Sequence, residues 1–270
     1  MKKLIFSVFL FLVAVGVSFG QSRETRSVSR FSKISFRVPG KLILRQGSPQ
    51  KVELEGSKDM LSKIETEVRG GELVIGNEEK WNWGRGENER IMVYVTVADV
   101  TGLSVSGSGE LITEGKIITN KLDLSVSGSG SLQTDATVSG EMEADVSGSG
   151  RMDIKGSCQN IDSDISGSGK IVASIQVRDL ASVEISGSGK FEASGTAKEI
   201  KIDISGSGKV YASNLEVDKC EVRISGSGDV EINVKTELNA NISGSGTVSY
   251  KGNPNHVNGN SSGSGKVRKM

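Results

Sequence analysis

Carboxylate side chains recur at intervals of about twenty residues through the middle of the chain. One set is formed by Asp145, Asp164, Glu184 and Asp203, and a second set by Asp123, Glu143 and Asp162. If such residues stack on neighbouring strands about 5 Å apart, they repel one another unless a cation or a base offsets their charge. Ladders of oxygen ligands suit Ca²⁺, so the first set is a candidate calcium site.

A competing interpretation of these carboxylates needs no metal. A basic set with the same interval is formed by Arg151, Lys170, Lys190 and Lys209. Neighbouring carboxylates are then neutralised by these bases, or are simply solvated, and this is the interpretation we favour. The calcium-binding nonapeptide of the repeat-in-toxin proteins is absent.

Both tryptophans, Trp81 and Trp83, lie in one polar segment between residues 77 and 90. They are two residues apart, with the cations Lys80, Arg85 and Arg90 around them. Tryptophan on a polar loop is suited to stacking on a sugar or contacting a partner protein, so these five residues are a candidate ligand-binding site. The alternative, that one tryptophan folds back and packs on the body of the protein, stays open.

No catalytic set is predicted. His256 is the only histidine, and no nucleophile–base pair or zinc site can be built around it. Paired carboxylates can hydrolyse glycosides, but a sugar-cleaving cleft is also expected to carry several aromatic rings, and the chain holds few. Lys plus Arg and Asp plus Glu both number 33, which leaves no basic excess for nucleic acid. We therefore predict that the protein is not an enzyme.

The elements that position these residues come from an internal repeat. The string Ser-Gly-Ser-Gly occurs nine times at spacings of 18 to 21 residues. Before each copy, β-branched and other apolar residues alternate with polar ones, which is the pattern of a strand with one buried face. The sequence therefore predicts an all-β fold, a single-stranded right-handed parallel β-helix (solenoid) with Ser-Gly-Ser-Gly corners. The clean alternation excludes a flexible Gly/Ser linker.

The repeat also bears on the two cysteines, Cys158 and Cys220. They are 62 residues apart, about three turns, which separates them by at least about 14 Å along the axis. A disulfide needs less than about 7 Å between Cα atoms, so none is predicted.

Three regions are expected along the chain. Residues 1–20 have the basic, apolar and small-residue segments of a secretory signal peptide, so we expect export through the inner membrane. Residues 21–101 hold less regular strands, expected to continue the solenoid and cap it, and residues 102–270 hold the regular repeat. Residues 59–67 fit a short helix or a turn that leads into a strand. No apolar run in the mature chain is long enough to span a membrane.

The mature chain resembles a family of secreted proteins described as putative auto-transporter adhesin, head GIN domain. The similarity lies in the segments 31–34, 41–47, 53–56, 60–64, 71–75, 91–95 and 103–109. The resemblance implies a β-helical secreted domain with no established activity. Apart from the candidate Ca²⁺ site, no cofactor is expected.

These observations are compatible with three functions. The first is a non-enzymatic adhesin that binds glycan or protein partners at the cell envelope, in the periplasm, at the surface or outside the cell. The second is a self-assembling envelope scaffold, as a homo-oligomer. The third is an enzyme that acts on polysaccharides.

Overall fold

The computed structural model describes residues 22–77 and 91–270. It confirms the predicted all-β solenoid, with about 8 turns at a spacing of about 20 residues. The first elements are β1 (Ser22–Arg26), β2 (Lys33–Phe36), β3 (Gly40–Gln46), β4 (Lys51–Gly56), α1 (Lys58–Lys63), β5 (Ile64–Arg69), β6 (Glu72–Asn77) and β7 (Ile91–Val97).

The repeat region supplies the remaining strands. They are β8 (Gly102–Gly107), β9 (Glu110–Thr119), β10 (Leu122–Gly128), β11 (Ser131–Val138), β12 (Glu141–Gly148), β13 (Arg151–Cys158), β14 (Asn160–Gly167), β15 (Lys170–Val177), β16 (Leu180–Gly187), β17 (Lys190–Gly206), β18 (Lys209–Gly226), β19 (Asp229–Gly244), β20 (Thr247–Lys251), β21 (His256–Gly263) and β22 (Lys266–Lys269).

Each turn contributes one strand to each of two sheets, and the strands within each sheet are parallel. Sheet I consists of the strands that run into a Ser-Gly-Ser-Gly corner, such as β10, β12, β14 and β16, which pair in that order. Sheet II consists of the strands that leave a corner, such as β9, β11, β13 and β15. The long strands β17, β18 and β19 bend from sheet II into sheet I without a break.

The two glycines of each corner are required for different reasons. The first glycine has a positive φ, 103° at Gly148, which residues with a side chain rarely adopt. The second glycine packs against the β-branched residue of the preceding turn. An ideal Cβ on Gly130 would lie 2.7 Å from Cγ1 of Val105. A larger residue at either position would therefore distort the stacking of the turns.

The core lies between the two sheets and follows the predicted columns. The residue before each corner is buried from Val105 to Ile242, and Leu111, Leu132 and Phe191 are buried on the sheet II side. The pattern changes in β21, where Gly259 and Ser261 pair with Ala240 and Ile242 of the preceding turn. The apolar core therefore gives way to small and polar residues at this turn.

The N-terminal strands are not stacked in the order of the sequence. In sheet I, β2 lies between β6 and β8, and in sheet II, β3 lies between β7 and β9, all in parallel. Beyond them the pairing becomes antiparallel, as β4 with β7, β1 with β4, and β5 with β6. This arrangement differs from a simple continuation of the parallel turns.

A short helix packs against part of this region. Helix α1 begins after the N-cap Ser57, whose Oγ accepts a hydrogen bond from the Met60 amide, and leads directly into β5. Met60 and Leu61 are buried, so the helix adds apolar side chains to the core. Residues 59–67, which fit either a short helix or a turn that leads into a strand, thus form the end of helix α1 followed by the start of strand β5.

Candidate functional site

The acidic and basic sets predicted from the sequence lie on opposite faces of the solenoid. Asp145, Asp164, Glu184 and Asp203 align on consecutive strands of sheet I, and we call the outward surface of this sheet face I. Arg151, Lys170, Lys190 and Lys209 align on sheet II, whose outward surface is face II. The strand direction reverses at each corner, which separates the two sets.

These bases therefore do not neutralise the acidic ladder, which leaves the alternative that its carboxylates are solvated. Arg151 pairs with Asp153 at 2.6 Å, Lys170 with Glu192 at 2.7 Å and Lys209 with Asp229 at 3.3 Å. All three acids also lie on face II, because they occupy outward positions of sheet II strands. The charged side chains of face I therefore interact with one another and with solvent rather than with these bases.

A groove of about 850 Å³ runs along face I across six consecutive strands. One wall is the ladder Asp164, Glu184, Asp203, Arg223, Asn241 and Asn260, and the other is the first serine of each corner, Ser186, Ser205, Ser225, Ser243 and Ser262. Its floor includes Ile185, Ile204, Ile224 and Ile242, whose side chains are in the core, so the main chain faces the groove. With strands about 4.8 Å apart, the groove is about 24 Å long.

The chemistry of the groove changes along its length. Three carboxylates are followed by the guanidinium of Arg223, which pairs with Glu221 at 2.5 Å and lies 3.9 Å from Asp203. The next two turns carry amides, and Asn260 Nδ2 donates to Asn241 Oδ1 at 3.2 Å. The groove therefore presents a negative half and a neutral, hydrogen-bonding half.

The negative charge extends along face I beyond the groove. A smaller cavity of about 230 Å³ lies over the preceding turns, lined in part by Asp123, Glu143 and Asp145. Burial, together with the charges of Glu143 and Asp164, raises the pKa of Asp145 above its ordinary value. Lys33 and Lys121 offset Asp123, at 3.2 and 3.3 Å. Face I is therefore a surface on which added positive charge is favoured.

The corner serines present unused hydroxyls beside this groove. All nine copies keep serine at both positions, and successive copies align in register, as Ser147 with Ser166. Their amides continue the inter-turn ladder, as Ser168 N donates to Gly148 O at 2.8 Å. Over the described chain, none of these hydroxyls has a hydrogen-bond partner within the protein. They form straight rows of donors and acceptors that are free for an external ligand.

The remaining candidates are placed as follows. Within residues 22–77 and 91–270, no group of three or more His, Cys, Asp or Glu side chains has an arrangement that could hold a metal ion. Calcium binding by the acidic ladder stays a prediction. The tryptophan site, Lys80, Trp81, Trp83, Arg85 and Arg90, lies outside the described residues. His256 is exposed on β21.

The two cysteines are buried as free thiols, Cys158 at the end of β13 and Cys220 in the inward column of sheet I. Burial raises the pKa of Cys158 to about 12, and burial also raises the pKa of Cys220. Both thiols are therefore protonated and shielded from reagents, as expected of core residues.

The repeat in the sequence indicates the acidic part of the groove but not the groove itself. Arg223, Asn241 and Asn260 occupy the same register as Asp203, and this register was readable from the repeat. The role of the first corner serine as the opposite wall required the three-dimensional corner.

The fold and this surface define a β-solenoid with a lengthwise polar groove. Residues 30–180 and 165–254 match the family described as "Putative auto-transporter adhesin, head GIN domain". The match covers most of the chain, which belongs to this family, as the sequence motifs indicated.

Solved structures with the same fold come from two Parabacteroides species. A "putative lipid binding protein" from Parabacteroides distasonis is 23% identical with a TM-score of 0.67, over 94% of this chain and 98% of that one. A "putative adhesin" from the same organism is 20% identical with a TM-score of 0.66, over the same shares. A "putative adhesin" from Parabacteroides merdae is 16% identical with a TM-score of 0.59, over 93% and 96%.

No curated protein matches the chain. None of the described residues belongs to a helix that is long and apolar enough to cross a membrane.

Proposed function

We propose that this protein is a non-enzymatic, adhesin-type binding protein of the cell envelope that holds its partner in the groove of face I. The observation that carries the proposal is the groove itself, with walls of aligned polar side chains across six turns. A rigid solenoid holds such side chains at a fixed repeat, which suits a long ligand bound by many weak contacts. The partner is a glycan or a protein with an extended segment.

Two further observations support this proposal. The family description and the descriptions of two solved relatives contain the word adhesin. Residues 1–20 have the pattern of a signal peptide, which agrees with a place outside the inner membrane, in the periplasm, at the surface or beyond it.

Binding fits the groove better than hydrolysis does. A glycosidase places its two carboxyl groups on either side of the bond that it cleaves. Here Asp164, Glu184 and Asp203 belong to one wall, and the described residues of the facing wall contribute only serine hydroxyls. A bound sugar chain therefore meets carboxylates along one side alone. Release of reducing ends from a polysaccharide panel would overturn the non-enzymatic assignment.

The experiment that tests the proposal fills the groove with a side chain. Ser225→Tyr places a ring in the middle of the serine wall, and Ser174→Tyr places the same ring on the exposed part of face II. Both proteins and the wild type are applied to arrays of glycans and of matrix and envelope proteins. We expect Ser225→Tyr to lose partners that Ser174→Tyr keeps. Equal binding by all three would overturn the proposal.

A further inference from the structure

We propose that the groove binds an extended polysaccharide that bears free amino groups and lies parallel to the solenoid axis, with about one sugar on each turn. This inference rests on the proposed function and names the ligand class for that site. Three features of the groove support it: the spacing of the turns, the unpaired hydroxyls and the charge of the walls.

The spacing of the groove favours a sugar chain over a peptide. Successive turns are about 4.8 Å apart, whereas an extended peptide advances only about 3.3 Å per residue, so its side chains fall out of step with the walls. The rise of an extended β-linked sugar residue is close to the distance between turns. A bound peptide strand also gains much of its affinity by pairing with a sheet edge, whereas the main chain at the groove floor already belongs to the sheet.

The walls offer the groups that bind sugar hydroxyls. On each turn from Ser186 to Ser262, a serine hydroxyl without a protein partner faces a carboxylate, guanidinium or amide of the opposite wall. No aromatic side chain is among the described residues of the lining, so the groove contacts polar substituents rather than stacking on ring faces. The serine hydroxyl thus recurs at the interval of the turns, while the facing group changes from carboxylate to guanidinium to amide along the groove.

The charge of the walls favours a polysaccharide with positively charged substituents. Asp164, Glu184 and Asp203 stand on consecutive turns, and among the described residues of the lining only Arg223, 3.9 Å from Asp203, is a cation. Face I continues negative through Asp162, Asp145 and Glu143 on the neighbouring turns. A ligand that carries ammonium groups along its length would bring positive charge to these carboxylates, whereas an anionic polysaccharide would be repelled.

The test uses oligosaccharides of β-1,4-linked glucosamine in a length series from dimer to octamer, with N-acetylated oligomers of the same lengths. Binding to the folded mature protein is measured by calorimetry. We expect affinity to rise with length up to about six sugars, the number of turns that line the groove, and then to level off. The acetylated series is expected to bind about tenfold more weakly, because it loses several screened ion pairs.

Two matched triple variants test whether the preference for free amino groups comes from the groove. Asp164→Asn with Glu184→Gln and Asp203→Asn should abolish the preference for free amines. Asp153→Asn with Glu192→Gln and Asp229→Asn, which removes the same charge from face II, should keep it. Equal loss in both variants would contradict the proposal, because it would indicate an effect of net charge alone.

Two other outcomes would overturn the ligand assignment. Oligolysine that binds more tightly than glucosamine oligomers of equal charge would indicate a basic peptide instead. Absence of binding by any glucosamine oligomer would also refute it. If Ser225→Tyr then still removed another partner, the groove would remain the binding site. If Ser225→Tyr removed nothing, the proposed function itself would fall.

Discussion

Gly130 packs so closely on Val105 of the preceding turn that an ideal Cβ on the glycine would lie 2.7 Å from the valine Cγ1. The contact recurs along the corner, as Gly208 stands in the same relation to Ile185. Ser-Gly-Ser-Gly is thus a packing device between turns as well as a bend within one turn.

The first prediction concerns this contact. Gly130→Ala should destabilise the protein by about 1–3 kcal/mol, because the added methyl overpacks a site with no free volume. Ser129→Ala, which changes the exposed neighbour, should stay within about 0.5 kcal/mol of the wild type. Chemical denaturation of the two variants measures the difference. A Gly130→Ala protein as stable as Ser129→Ala would show that the corner adjusts freely.

The second prediction concerns Ser163, which is fully buried in sheet I with a hydroxyl that has no hydrogen-bond partner. An unsatisfied buried hydroxyl costs about 1–3 kcal/mol, so Ser163→Ala should raise stability by up to that amount. Ser166→Ala, on the same strand but exposed, is the control. Thermal unfolding compares the two, and a clear loss of stability in Ser163→Ala would mean that the hydroxyl has a partner.

The third prediction concerns Asp145, whose pKa is raised by burial and by the carboxylates around it. Because the folded protein holds this proton more tightly than the unfolded chain, ionisation of Asp145 weakens the fold as pH rises past the ordinary carboxyl pKa. Asp145→Asn should therefore be more stable than the wild type at pH 7, by less than about 1 kcal/mol on this solvated face. The gain should vanish at acidic pH, where the wild-type side chain is protonated.

Unfolding curves of both proteins across this pH range, at low and high salt, provide the measurement. Added salt should narrow the difference at pH 7, since it screens the repulsion. A difference that is constant with pH, or a less stable Asp145→Asn protein at pH 7, would contradict the assigned cause.

The fourth prediction concerns the cysteines. Since Cys158 and Cys220 are buried and their pKa values are raised, a thiol reagent at pH 8 should label neither in the folded protein. Both should react once the chain is unfolded, with no reductant needed. Mass spectrometry counts the labels. Rapid labelling of the native protein would show that the core opens near these residues.

The regular part of the fold was predictable because its information is local and repeated. Alternation around Ile165 and Ile204 defines the inward column, and the glycines define the corners, so nine imperfect copies reinforce one pattern. Strand β1, Ser22–Arg26, was missed because its sequence has no apolar alternation, and it is held by backbone pairing with β4. The place of β2 between β6 and β8 depends on long-range pairing that no local pattern encodes.

The candidate site was predictable only in part for a similar reason. The interval between Asp145 and Asp164 showed that they share a face. Which face Arg151 and Lys170 occupy depended on the geometry of the corner, and the sequence alone left their pairing with the acids open. In the structure, Arg151 and Lys170 pair with acids of face II. The acidic residues of face I and the corner serines, such as Ser225, therefore remain to form the groove.

Reversible blocking of the groove in a single variant shows whether the groove is the binding surface. Because the native thiols are buried, Ser225→Cys can be modified selectively with a bulky reagent that attaches through a disulfide, and Ser174→Cys on face II serves as the control. We expect modification of Ser225→Cys to abolish binding of its partner, reduction to restore it, and modified Ser174→Cys to bind normally. Full binding by modified Ser225→Cys would contradict this expectation.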